Sequence, residues 1–95
     1  MPRPRPPAAL IRETLEQLCQ ERGPGKTFCP SDAARLLAGE GEDGVDWHSI
    51  LPAVRRTALE MAQEGRMAVF RKGKPVDPQG VKGVIRLGLP PEEEV

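Results

Sequence analysis

At 95 residues the chain has room for one domain and one core. Its 14 Lys and Arg balance its 14 Asp and Glu, and a formal net charge of zero argues against strong unspecific attraction of the whole molecule to a polyanion. No stretch approaches the roughly 18 apolar residues of a membrane span, and no apolar run of signal-peptide type follows the N-terminal arginines, so the expectation is a cytoplasmic protein without a membrane partner.

Residues 1–7, with four prolines and two arginines, read as a disordered arm, because each proline removes an amide donor and pushes its predecessor away from the helical region. The domain proper is expected over 8–89. From Ala8 to Arg22, Ile11, Leu15, Leu18 and Cys19 recur at helical spacing with polar residues largely elsewhere, and Gly23-Pro24-Gly25 stops the pattern. Lys26 to Phe28 has length for a stub of strand only. Cys29-Pro30-Ser31-Asp32 then opens a second helix, proline at its first position and Asp32 against the positive dipole end. That helix runs to about Ala38 with Ala33, Leu36 and Leu37 expected inward, and Gly39 ends it. The stretch 39–44 reads as an acidic glycine-rich loop.

Asp46 caps the third helix. At about 100° per residue, Trp47, Ile50, Leu51, Val54, Ala58, Met61 and Ala62 form one apolar stripe, opposite Ser49, Pro52, Ala53, Arg56, Glu60 and Gln63. Pro52 inside this pattern predicts a kink, or a first turn that ends before it. Gly65 closes the helix. Arg66 to Lys72 and Val84 to Leu89 read as strands. The prolines and glycines of 73–83 predict a long hairpin loop without regular structure, in which Asp77-Pro78 starts a turn. Residues 90–95 read as an acidic tail.

Phe28, Trp47 and Phe70 are the only rings, which favours packed helices over a large sheet. Three helices, a strand stub and two late strands are the order of an α+β, mainly α, winged helix, with helices two and three as the helix-turn-helix and the C-terminal β-hairpin as the wing. A three-helix bundle with a loose tail would leave Val69, Phe70, Ile85 and Leu87 without a home.

Thr27 to Arg35, Trp47, Val54-Arg55-Arg56 with Ala58 and Gly65, the run Arg71-Lys72-Gly73-Lys74-Pro75-Val76-Asp77-Pro78, and Gly83-Val84-Ile85-Arg86-Leu87 together resemble the small bacterial family called domain of unknown function 3253. The resemblance spans roughly Leu10 to Leu87. It implies a bacterial source and a winged-helix-like fold, and it brings no activity.

Charge distribution says more about function than the sum. Between Arg66 and Arg86, six basic residues, Arg66, Arg71, Lys72, Lys74, Lys82 and Arg86, stand against one acid, Asp77, whereas the middle holds Glu40, Glu42, Asp43 and Asp46. The expectation is a non-catalytic domain that binds DNA, or RNA, with weak sequence specificity through Arg55, Arg56, Arg71, Lys72, Lys74 and Lys82, with Trp47 anchoring helix three and Gly73 and Pro75 shaping the wing. Base readout is thin, since Ser49, Pro52 and Ala53 are short. The competing expectation is a protein-interaction or dimerisation module docking by that same small, flat face.

Cys19 and Cys29 are too few for a disulfide scaffold and read as buried small hydrophobes in a reducing compartment. With His48 they lack the spacing and number of a structural zinc site. His48 is the sole histidine, no nucleophile elbow occurs, and Gly23-Pro24-Gly25-Lys26-Thr27 follows a helix where a phosphate-binding loop follows a strand. Neither a catalytic residue nor a cofactor is expected.

Overall fold

The computed structural model describes residues 6–39 and 46–90. Most of the expected N-terminal arm, most of the acidic loop and the acidic tail after Pro90 lie outside the described residues. In chain order the elements are α1 (Ala8–Arg22), β1 (Thr27–Phe28), α2 (Pro30–Ala38), α3 (Trp47–Gln63), β2 (Ala68–Arg71), β3 (Lys74–Val76) and β4 (Arg86–Gly88). The architecture is α+β and mainly helical, compatible with a winged-helix-like arrangement. None of the helices is long and apolar enough to cross a membrane, among the described residues.

Helix ends follow their local chemistry. Gly23 (φ 81°) and Gly39 (φ 76°) stop α1 and α2 in the left-handed region that a side chain disfavours. At the start of α2 the Cys29 amide donates to the Asp32 carboxylate at 3.1 Å, so Cys29 is half-buried at a helix cap where the sequence predicts a fully buried thiol. Asp46 caps α3 by accepting the His48 amide at 3.1 Å. At the far end Arg66 and Gly65 donate back to the Met61 and Ala62 carbonyls, with Gly65 at φ 81°. Contrary to the option of a first turn ending before Pro52, α3 runs unbroken through it.

The core is built from Ile11, Leu15, Leu18 and Cys19 of α1, Phe28, Ala33, Ala34 and Ala38, Ile50, Val54, Ala58 and Met61 of α3, and Met67, Val69, Ile85 and Leu87. Truncating a fully buried member such as Leu15 to alanine is expected to cost about 2–5 kcal/mol. Burial pushes the Cys19 thiol up to about 11, with Glu16 adding to the effect, which keeps it protonated and inert. The expected inward set of α2 needs correction, because Leu36 is 61% exposed while Ala34 and Ala38 are buried. Small side chains fill the face of this short helix that packs on the core, where a larger side chain would have to displace its neighbours.

The sheet is antiparallel in the order β1-β4-β2-β3. Val69 pairs with Leu87 on one side and Val76 on the other, so the inner face continues the core. The long structureless loop expected over 73–83 is corrected at its start. Lys72 (φ 53°) and Gly73 (φ 81°) form a two-residue turn with positive φ at both centres, the type I′ signature, and Lys74–Val76 returns as β3. Proline is tolerated in β3 for a geometric reason. Arg71 and Lys74 close the turn, so the next pair, Phe70 with Pro75, is the one whose amide on β3 faces away from β2. The strands around it are shorter than the sequence suggests, Ala68–Arg71 and Arg86–Gly88.

Candidate nucleic-acid interface

After β3 the chain crosses back to β4 through 77–85. Asp77 accepts the Gln79 amide at 2.9 Å, the turn that Asp-Pro predicts. The segment then passes the N-terminal half of α3, and two guanidinium groups meet its main chain. Arg55, on the flank of α3, donates to the Gly83 carbonyl at 2.8 Å and to the Val81 carbonyl at 3.4 Å. Arg71, the last residue of β2, donates to the Lys82 carbonyl. Three consecutive carbonyls are thus held by arginines from a helix and a strand. Gly83 fits here for two reasons: its φ of 83° disfavours a side chain, and a Cβ would meet the Arg71 guanidinium at 3.2 Å.

The six cationic residues named from sequence therefore divide into two groups. Arg55 and Arg71 face main-chain acceptors. Arg56, Lys72, Lys74 and Lys82 are exposed and make no ion pair among the described residues. Lys72 stands at the turn apex and Lys74 beside it, while Lys82 projects from the clamped segment. Sequence alone carried little signal for the Val81, Lys82 and Gly83 carbonyls as partners, since main-chain acceptors leave no trace beyond a glycine.

The other basic residues of the C-terminal third point elsewhere. Arg86 donates to the Thr27 hydroxyl at 2.7 Å and to its carbonyl at 3.0 Å, tying β4 to β1. Arg66 lies 3.4 Å from both Glu16 and Glu64. The acids of α3 are drawn to the α1 side, where Arg12 makes two hydrogen bonds to Glu64 at 2.9 and 2.7 Å and lies 3.7 Å from Glu60. The hydrogen bonds from Arg12 hold the Glu64 carboxyl below the usual carboxylate range. Glu60 thus turns to Arg12 rather than to Arg56 one turn earlier.

A family model described as "Protein of unknown function (DUF3253)" matches residues 8–90. The chain belongs to this family. No curated protein matches it.

Two further features of this DUF3253 domain frame the interface. Trp47 is half-buried against the core, its ring stacked on His48 at 3.7 Å between centroids and covered by the Arg35 guanidinium at 4.7 Å, which sets the entry of α3. A small apolar hollow of about 220 Å³ lies between the start of α2, Leu51 and Arg55 of α3, and Val84-Ile85. No group of three or more His, Cys, Asp or Glu side chains is arranged to hold a metal among the described residues.

Proposed function

We propose that this DUF3253 domain is a non-catalytic winged helix that binds nucleic acid, DNA in the first instance, through α3 and a basic wing formed by the β2–β3 hairpin and its return. The observation that carries the reading is the hydrogen bond from Arg55 to Gly83, which draws the return carrying Lys82 against α3 so that Arg56, Lys72, Lys74 and Lys82 project from connected elements. The pairing of Glu60 and Glu64 with Arg12 supports it, because those carboxylates are engaged by a guanidinium of α1 and not by Arg56. Phosphate contacts by these four cations supply affinity with little sequence preference, since the exposed Ser49 and Pro52 are too short to read base edges.

Fluorescence anisotropy of a labelled DNA duplex, from low to moderate salt, tests the proposal. Four phosphate contacts correspond to a slope of about −3.6 in log K against log salt. Reversing Lys72, Lys74 and Lys82 together to glutamate abolishes binding on this reading. Absence of binding by the unaltered protein at low salt, or binding unaffected by the triple reversal, refutes it.

A further inference from the structure

The two arginines that sequence reasoning counts among the phosphate contacts are turned to the protein's own main chain, and that changes the role they can have. A guanidinium engaged with carbonyl oxygens has fewer donors left for a ligand and gains geometric definition in return. Arg55 reaches Gly83 and Val81, and Arg71 reaches Lys82 between them. Gly83 is held at φ 83° with the Arg71 guanidinium where its side chain would lie. The Lys82 side chain therefore springs from a backbone fixed on both sides, the Val81 and Gly83 carbonyls pinned to α3 and its own pinned to β2.

Resting on the nucleic-acid reading above, we infer that Arg55 and Arg71 are positioning residues that set the wing at a fixed spacing from α3, and that the class of partner is a duplex, whose backbone offers phosphates at regular spacing, and not a single strand. A rigid pair of contact sites gains from a rigid lattice of charges, because the ordering cost is met during folding and not on binding. A flexible single strand adapts to any spacing and gains nothing from the clamp. Proteins that hold single strands rely on exposed rings for base stacking, and this face offers no exposed Phe or Trp ring, while the exposed His48 ring has one face stacked on Trp47. Phe28 is buried, Trp47 is covered by Arg35 at the start of α3, and Phe70 alternates to the face of β2 opposite Arg71, where its ring lies near Gly88.

The full chain is titrated against a labelled DNA duplex and against one of its strands, each across a salt series, with Arg55→Gln, Arg55→Lys and Lys82→Gln. The unaltered protein prefers the duplex. Arg55→Gln weakens duplex binding by roughly three- to tenfold, the scale of ordering one or two side chains on binding, leaves single-strand affinity in place and does not change the salt slope. Arg55→Lys keeps the charge but replaces the two separated guanidinium nitrogens that reach Gly83 and Val81 by a single one, and behaves like Arg55→Gln. Lys82→Gln, by contrast, lowers the salt slope by about 0.9. Trypsin cleavage after Lys82 without nucleic acid accelerates in Arg55→Gln, reporting the released segment.

A fall of about 0.9 in slope for Arg55→Gln makes Arg55 a direct phosphate contact and overturns the inference. Equal losses on both ligands, no loss on either, or a single strand bound as tightly as the duplex by the unaltered protein overturn it as well, leaving the broader nucleic-acid reading in place. If the unaltered protein binds neither ligand, both readings fall together.

Discussion

Replacing Lys72 by asparagine separates what the wing contributes to stability from what it contributes to binding. Lys72 sits at φ 53° in the first central position of the β2–β3 turn, where Gly73 follows at φ 81°. A residue with a Cβ pays about 1 kcal/mol or more for the left-handed region, while asparagine tolerates it and is the preferred partner of glycine in this turn. Relief of part of that strain gives an expected gain of about 0.5–1 kcal/mol. For a domain of this size each kcal/mol moves the midpoint by about 4–8 °C, so Lys72→Asn should melt about 2–8 °C higher by circular dichroism. Lys72→Gly should be nearly neutral, because glycine relieves the strain but adds about 0.5–1 kcal/mol of unfolded-chain entropy. In the duplex titration Lys72→Asn should bind more weakly, with a salt slope smaller by about 0.9. A lower midpoint for Lys72→Asn would mean that the lysine stem stabilises the hairpin, and an unchanged slope would remove Lys72 from the contact set.

Other substitutions test the frame around the interface. A Cβ at Gly88 would stand 2.8 Å from the Lys26 carbonyl and 3.3 Å from the Phe70 ring, so Gly88→Ala should cost about 1–3 kcal/mol in urea unfolding by forcing β1 off β4; a loss within error would show that the edge yields freely. Pro52→Ala should raise stability by about 1–3 kcal/mol, since proline inside α3 leaves the His48 carbonyl without its helical donor, and a destabilised variant would contradict this. The Arg12–Glu64 latch has a definite pH sign. Glu64 has a folded pKa below its ordinary value, so its contribution is complete above the usual carboxylate pKa of about 4.3 and is lost as pH falls through the depressed value. The gap in melting temperature between the unaltered protein and Glu64→Gln should therefore be present at neutral pH and close below that range. A gap that persists in strong acid would assign the effect to packing.

Much of the fold was legible in local chemistry. Asp46 capped α3, Pro30 and Asp32 opened α2, Gly23, Gly39 and Gly65 closed helices, and the period of Ile50, Val54, Ala58 and Met61 marked the buried face. Each of these signals concerns residues a few positions apart, where hydrogen-bond reach and helical period leave few alternatives. Leu36 misled because apolarity does not report distance: α2 presents alanines where helices come close. Pro75 misled because a proline excludes a strand only where its amide would face a neighbour, and the register that frees it follows from the turn.

The candidate interface divides along the same line. The sequence by itself determined which residues carry charge, and that basic residues outnumber acids between Arg66 and Arg86. Only the tertiary structure decided what each charge faces: Arg86 the β1 strand, Arg66 the glutamates near α1, Arg55 and Arg71 three carbonyls of the wing, and Arg56, Lys72, Lys74 and Lys82 solvent. The physical reason is the reach of a long cationic side chain. It satisfies itself on whatever acceptor folding brings within hydrogen-bond distance, and for Arg55 that acceptor lies 28 residues away.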